Sequence, residues 1–371
     1  MPALDGLRAV AVLLVIGVHS IWIFPGLEPY LTGGFLGVDI FFVLSGFLIA
    51  SILLNEFDET ENISLRNFYA RRFLRLMPAY WVHLFVLYAF GFLLFAKDDV
   101  DRLYANDNFI FALLYLTNWH AALNGGATTN LLGPTWTLAV EEQFYLLWPG
   151  ILLLMLRRFS RKSIMIVTGS GIFLSAFFRA VRWEGPQSVD LLYYSFDSRA
   201  DALLVGCLLG QIVCWGLVPR GWFRSQWTRL LLIISVGTIA IIPSFTYASN
   251  RTPFLYLGGF TIFAIAVAVL ILWLATETET FPNRILSSKG MVWVGKISYP
   301  LYLWHLAAIG FVRPSDLSPL AKLAVAVALS FGLAAMSYYL VEKPFLKLKK
   351  RFSAGRSTGV DLQLHPSLPS G

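Results

Sequence analysis

The chain has 371 residues, of which 57% are hydrophobic and only 14% are charged. A soluble domain carries about 25% charged residues, so this composition excludes an ordinary soluble domain and predicts an integral membrane protein with little mass outside the bilayer. The formal net charge of +7 is then interpreted as membrane topology and contact with lipid headgroups, not as nucleic-acid binding.

Apolar stretches of about 17 to 25 residues predict membrane-spanning helices. Ten of them follow one another along the chain, at about 6–24, 34–54, 76–96, 136–156, 163–180, 201–218, 229–246, 254–274, 293–312 and 319–341. We therefore expect an all-α, polytopic membrane protein with about ten transmembrane helices around a central cavity, over residues 1–345. The stretch 108–118 is too short to cross and predicts an interfacial or re-entrant helix. The basic tail, 346–371, is predicted to be disordered.

Most Lys and Arg residues fall in alternate connections between these stretches, and many of them lie in the tail. Cytosolic loops of membrane proteins carry an excess of Lys and Arg. With the basic connections on the cytosolic side, both termini are predicted to be cytosolic.

The first predicted span carries two ionisable residues on one face. Arg8 and His19 are eleven residues apart, about three helical turns, so their side chains point the same way and lie about 16 Å apart along the axis. Ionisable groups inside a span usually face an interior cavity and mark a functional route. The alternative is an Arg at the membrane interface and a His bonded to a neighbouring helix.

Three carboxylates are predicted at the depth of His19, about 7–8 Å below the outer rim. They belong to Asp39 in the second span and to Glu141 and Glu142 in the fourth. A carboxylate bonded to the far ring nitrogen would fix the tautomer of His19 and raise its basicity, which predicts a catalytic base with an orienting acid. The alternative is a polar clamp between helices, and for Asp39 the two interpretations are equal.

The sixth span opens with charges of both signs, on Asp197, Arg199 and Asp201. They suit a mouth that orients a polar substrate, and they suit almost as well a set of ion pairs that anchors the span. In the ninth span, Tyr302 and His305 are three residues apart and share a helical face. A hydrogen-bonded lining of the substrate site is one interpretation, and a core histidine with satisfied ring nitrogens is the favoured one.

Arg72 and Arg75 lie just before the third predicted span, three residues apart and on one helical face. Two guanidinium groups in this arrangement suit a phosphate or pyrophosphate at the cytosolic mouth. Anchoring of the span by positive charge on the cytosolic side explains them equally well.

Together these residues resemble the acyltransferase-3 family of bacterial membrane acyltransferases. The resemblance extends from Asp5 to about Phe345. Five motifs carry it, in the order of the family: Arg8 with His19, 37–49, Arg72 with Arg75, 136–145 and 298–305. Each motif alone is weak, but five in the right order on ten predicted spans are specific.

The resemblance implies that an acyl group, usually acetyl, moves from cytosolic acyl-coenzyme A to a hydroxyl of a cell-envelope or exported glycan. Arg72 and Arg75 would bind the phosphates of coenzyme A, with Arg8 near the entrance for the donor. His19 would be the base for the acceptor hydroxyl, or a transient acyl carrier, oriented by Glu141 or Glu142. No metal is implied.

Many family members continue into an extracytoplasmic hydrolase-like domain that completes the transfer. This sequence instead ends in its basic tail, which implies that the chain acts alone or with a separate extracytoplasmic transferase, in a bacterial inner membrane. A transporter or flippase of a polar or lipid-linked solute is the alternative function. Against it, the sequence shows no paired inverted repeat and no matched pair of broken helices.

Overall fold

The computed structural model describes residues 1–90, 109–124, 131–219, 221–245 and 252–349. Within these ranges every regular element is a helix, and no strand is present. This confirms the predicted all-α class.

Each of the ten predicted apolar stretches overlaps one helix of 15 residues or more. Residues 91–96 of the third stretch and 246 of the seventh lie outside the described residues. The helices are α1 (Pro2–Ser20), α2 (Gly37–Thr60), α3 (Leu65–Phe90), α4 (Thr135–Arg158), α5 (Arg161–Val181), α6 (Phe196–Cys214), α7 (Gln226–Phe245), α8 (Phe260–Thr276), α9 (Ser298–Val312) and α10 (Pro319–Met336).

Seven helical segments of the described chain are long and apolar enough to cross a membrane. The remaining three predicted spans fall short for different reasons. Helix α6 carries three charged residues near its start, α7 has a shorter apolar run, and α9 has only 15 residues. The total of about ten spans therefore stays a prediction.

Shorter helices connect or extend these ten. The α-helical ones are Glu28–Leu31, Thr117–Leu123, Val189–Tyr194, Phe281–Leu286, Lys289–Lys296 and Lys343–Lys349. The predicted interfacial stretch 108–118 contains helical residues at 109–113 and the start of Thr117–Leu123. Of the predicted tail, 346–349 belong to the last short helix, and 350–371 lie outside the described residues.

Helices α2 and α6 approach each other closely because glycines line their contact. A methyl group on Gly46 would lie 1.9 Å from the carbonyl oxygen of Leu203, and one on Gly206 would lie 2.1 Å from the carbonyl oxygen of Val43. Small residues permit such close backbone packing between helices in a membrane. The contact brings charged side chains of α2 and α6 within bonding distance.

Candidate functional site

Helices α1, α2, α3, α4 and α9 line a pocket of about 390 Å³. This volume is in the range of small-molecule sites. The charged side chains in its wall belong to Asp5, Arg8, Arg72, Arg75 and Glu141. The mostly apolar wall therefore carries more positive than negative groups. That this pocket is the predicted central cavity stays a prediction.

The three arginines predicted to bind the donor all line this pocket. Arg8 forms an ion pair of 3.1 Å with Asp5, one helical turn away. The guanidinium of Arg72 lies over the ring of Tyr145, 3.4 Å from its centroid, which restricts the side chain. Arg75 is exposed. Three guanidinium groups around one pocket suit an anionic ligand such as a phosphate.

One residue of the acidic pair of α4, Glu141, lies among these arginines. The hydroxyl of Ser45 donates to Oε1 of Glu141 at 2.9 Å, and Glu141 lines the pocket with Arg72, whereas Glu142 is not among the lining residues. Helix α4 thus directs Glu141 towards α2 and the pocket, where its charge partly offsets that of the arginines.

His19 lies at the C-terminal end of α1 and contacts a second histidine. Its Nδ1 is 2.9 Å from the carbonyl oxygen of Val15 and 3.1 Å from Nε2 of His305. Nδ1 of His305 is 2.6 Å from the carbonyl oxygen of Tyr302. The ring of His305 is fully buried, whereas His19 is half-buried. Of the two imidazoles, His19 is the one open to its surroundings.

The predicted hydrogen bond between His19 and a carboxylate is not formed. Among the described residues no Asp or Glu hydrogen-bonds to the ring of His19 or His305. Glu141 bonds instead with Ser45. The partner of His19 is the residue that the sequence favoured as an isolated core histidine.

Asp39 forms a buried ion pair across α2 and α6. Its Oδ1 is 2.8 Å from Nη2 of Arg199, and both side chains are 1% exposed. Oδ2 of Asp39 and two nitrogens of Arg199, Nε and Nη1, have no hydrogen-bond partner. The guanidinium lies over the ring of Phe260, 4.0 Å from its centroid. This arrangement corresponds to the second interpretation of Asp39, a polar clamp between helices.

The other charges of α6 are paired as well. Asp201 accepts from Nη2 of Arg179 at 2.8 Å and from the hydroxyl of Thr261 at 2.6 Å. Asp197 pairs with Arg182, and both side chains are partly exposed. The geometry of this motif therefore matches the alternative interpretation, in which ion pairs anchor α6. A role of these residues in substrate binding stays a prediction.

Tyr302 connects the pocket with the histidine pair. Its ring lines the pocket, its hydroxyl is 2.7 Å from Oγ1 of Thr137, and its carbonyl oxygen lies against His305. Sequence reasoning did not single out Thr137, Ser45 or Tyr145 as site residues. All three belong to the motif stretches 37–49 and 136–145, so the motifs contained a signal for them.

A family model described as an acyltransferase domain matches residues 1–340 of the chain. The peptidoglycan O-acetyltransferase OatA of Listeria monocytogenes is 32% identical over 94% of this chain and 56% of its own length. A putative O-acetyltransferase of Staphylococcus aureus is 34% identical over 94% of this chain and 57% of its own. The putative peptidoglycan O-acetyltransferase YrhL of Bacillus subtilis is 32% identical over 93% and 54%.

The chain spans about half the length of the curated relatives it matches. No solved structure matches it.

Proposed function

The chain belongs to the acyltransferase-3 family, and on that premise we propose that it is a membrane O-acyltransferase that transfers an acyl group, usually acetyl, from acyl-coenzyme A to a hydroxyl of a cell-envelope glycan. Relatives named as peptidoglycan O-acetyltransferases support this class of acceptor. The observation that carries the proposal is the position of Tyr302, between a pocket with three arginines and an imidazole pair.

The donor would bind with its phosphates at Arg8, Arg72 and Arg75. Guanidinium groups bind phosphate oxygens through paired, charge-assisted hydrogen bonds. His19 is about 16 Å further along α1 than Arg8. A donor whose phosphates bind at the arginines must therefore extend its thioester past Tyr302 to reach the imidazole, which suits the flexible pantetheine arm of coenzyme A.

The chemistry needs a base for the acceptor hydroxyl. Nε2 of His19 would take the hydroxyl proton while the oxygen attacks the thioester carbonyl carbon. The new C–O ester bond forms, the C–S bond breaks, and the proton passes from His19 to the leaving thiolate. General-base catalysis of this kind contributes about 10²- to 10⁴-fold in rate.

His19 could also act as a transient acyl carrier. Nε2 would then attack the thioester carbonyl carbon first, the C–S bond would break with release of coenzyme A thiolate, and an acyl-imidazole would form. The glycan hydroxyl oxygen would then attack the acyl carbon, the C–N bond would break, and the hydroxyl proton would pass to the released imidazole and finally to the thiolate. The two routes differ in one measurable species: only the carrier route forms a labelled acyl-protein when the acceptor is absent.

In the proposed site, the arginines that bind the donor and the histidine that reacts lie at different depths of the bilayer. Both termini would lie in the cytosol of a bacterial cell, with the arginine pocket open to cytosolic acyl-coenzyme A. The acceptor would meet His19 nearer the extracytoplasmic side. A separate extracytoplasmic transferase would be needed only if the glycan itself does not reach His19.

The experiment uses the purified chain in proteoliposomes with acetyl-coenzyme A on one side and soluble peptidoglycan fragments on the other. We expect release of free coenzyme A together with acetylated glycan, detected by mass. The variant His19→Ala should lose both products, and His120→Ala should keep them. Full glycan acetylation by a normally folded His19→Ala variant would overturn the assignment.

A further inference from the structure

We propose that His305 is a positioning residue for His19, which together with the carbonyl of Val15 holds His19 in the tautomer with an unprotonated Nε2 and makes no contact with substrate itself. The inference rests on the proposed function, because it gives His19 its role as the reacting imidazole. It differs from both sequence-based interpretations of His305, a lining of the substrate site and the favoured core histidine with satisfied ring nitrogens.

The direction of each hydrogen bond shows which ring nitrogen of the two histidines carries a hydrogen. A carbonyl oxygen can only accept, so the 2.6 Å contact of Nδ1 of His305 with the carbonyl of Tyr302 places a hydrogen on that nitrogen. The other nitrogen of neutral His305, Nε2, then carries a lone pair and must accept. Its neighbour at 3.1 Å, Nδ1 of His19, is therefore the donor.

A second acceptor agrees with this assignment. The carbonyl oxygen of Val15 lies 2.9 Å from the same Nδ1 of His19 and also requires a hydrogen there. Neutral imidazole has one N–H group, so Nε2 of His19 is left with a free lone pair. This is the atom that must accept the hydroxyl proton or attack the thioester.

The two imidazole rings differ in burial and in how many of their nitrogens are bonded. His305 has no exposed surface, and both of its nitrogens are used, on Tyr302 and on His19. His19 is half-buried and keeps one nitrogen unused. A substrate can therefore reach His19 but not His305.

The contact with His305 grows stronger as the reaction proceeds. When Nε2 of His19 takes a proton, the ring becomes a cation and its Nδ1–H a charged donor. Hydrogen bonds with a charged partner are about twice as strong as neutral ones. An interaction that strengthens in the transition state raises kcat rather than binding of the donor.

A neutral partner also suits the location. In many enzymes a carboxylate accepts from the far nitrogen of the catalytic imidazole, but an ionised carboxylate inside a membrane is costly. The backbone carbonyl of Val15 belongs to α1 itself and constrains the ring only relative to its own helix. His305 belongs to α9, so it fixes the ring of His19 relative to the pocket.

The test compares three variants in the proteoliposome assay. His305→Leu removes the acceptor, His305→Gln keeps an acceptor oxygen on a side chain of similar reach, and His83→Leu is the matched control. His83 is also fully buried, and its ring packs against Trp304, beside His305, at 4.9 Å between centroids.

We expect His305→Leu to lower kcat about 10- to 100-fold, the effect of losing a hydrogen bond to a charged group. The KM for acetyl-coenzyme A should change by less than about twofold. His305→Gln should recover part of the kcat, and His83→Leu should match the wild type.

A spectroscopic measurement tests the tautomer without any activity. The chain has five histidines, so ¹⁵N NMR signals of His19 can be identified by loss in His19→Ala. The wild type should show Nδ1 protonated and Nε2 unprotonated. In His305→Leu the Val15 carbonyl still accepts from Nδ1, so the tautomer should persist, but the chemical shift of Nδ1 should change because its second acceptor is lost.

Three results would overturn the inference: an Nε2-protonated His19 in the wild type, unchanged kcat in His305→Leu, or an equal fall in His83→Leu. Each is distinct from failure of the proposed function, which would appear as full activity of His19→Ala.

Discussion

Nε2 of His305 lies 3.1 Å from Nδ1 of His19, although the two residues are 286 positions apart in the chain. The contact joins the end of α1 to the middle of α9, the helix that also presents Tyr302 to the arginine pocket. His19 is thereby held at a defined distance from the pocket, which suits the proposed base for a donor whose phosphates bind in the pocket.

The donor pocket predicts a selective defect in Arg72→Gln. We expect the KM for acetyl-coenzyme A to rise about 10- to 100-fold, since hydrogen bonds to charged groups contribute about 1.5–3 kcal/mol. With acetyl-pantetheine, a donor without phosphates, the variant and the wild type should have the same kcat/KM.

The matched control for this prediction is the neighbouring residue. Arg71 is not among the residues that line the pocket, and it forms an ion pair of 2.9 Å with Glu56. Arg71→Gln should keep the wild-type KM for acetyl-coenzyme A. Equal losses with both donors in Arg72→Gln would show that Arg72 supports the structure and does not bind phosphate.

The buried pair between Asp39 and Arg199 predicts a loss of stability in Asp39→Asn. Removal of one charge leaves the other buried without a partner, which costs about 3–5 kcal/mol of unfolding free energy. The double variant Asp39→Asn with Arg199→Gln should unfold at a higher temperature than Asp39→Asn alone. Thermal unfolding in detergent measures both.

An exposed ion pair provides the comparison. Arg284 and Glu279 are 3.5 Å apart, with side chains 70% and 91% exposed, and Glu279→Gln should change stability by less than about 1 kcal/mol. A fully stable Asp39→Asn variant with a large loss of kcat would instead support the predicted catalytic role of Asp39.

The contact between α2 and α6 predicts that Gly46→Ala destabilises the protein by about 1–3 kcal/mol, the cost of overpacking. The added methyl would meet the backbone of α6, which cannot move aside without shifting the helix. Gly150→Ala is the control, because nothing lies within 4 Å of a methyl there. It should be neutral or stabilising by up to about 1 kcal/mol. Equal unfolding temperatures for the two variants would contradict the close approach.

The hydrogen bond between Tyr302 and Thr137 predicts related effects of two substitutions. Tyr302→Phe removes the 2.7 Å bond alone and should cost about 1 kcal/mol of stability. Thr137→Val also removes the 3.1 Å bond from its hydroxyl to the carbonyl oxygen of Pro134, so it should cost more. The double variant should cost no more than Thr137→Val alone. If Tyr302 also binds substrate through its hydroxyl, as the sequence predicts, a KM increase would appear in Tyr302→Phe and not in Thr137→Val. Kinetics and thermal unfolding of the three variants measure these effects.

The features that the sequence predicted correctly are those that depend on the order of residues within one helix. Hydrophobic length located the ten long helices, and helical periodicity placed Arg8 with His19 on one face and Arg72 with Arg75 on another. Three of these four, the arginines, line one pocket. The family motifs identified the class of protein, which the matching family model confirms.

The partners of the charged residues were not predictable in the same way. The sequence placed His19, Asp39 and the acidic pair at one depth and inferred that they meet. In the structure Asp39 pairs with Arg199, 160 positions away, and Glu141 accepts from Ser45, 96 positions away. Depth along a helix follows from residue number, but the direction of a side chain around the helix depends on how that helix packs against its neighbours.

The sequence by itself determined an all-α chain of apolar helices, the stripe that joins Arg8 to His19, and membership of the acyltransferase-3 family, because these depend on composition, periodicity and motif order. Only the tertiary structure decided that His19 meets His305, that Asp39 is clamped by Arg199, and that Glu141 lies with the arginines. The physical reason is that hydrogen bonds act over about 3 Å, so the partner of a buried polar group is decided by the rotation and close packing of helices that are far apart in the chain.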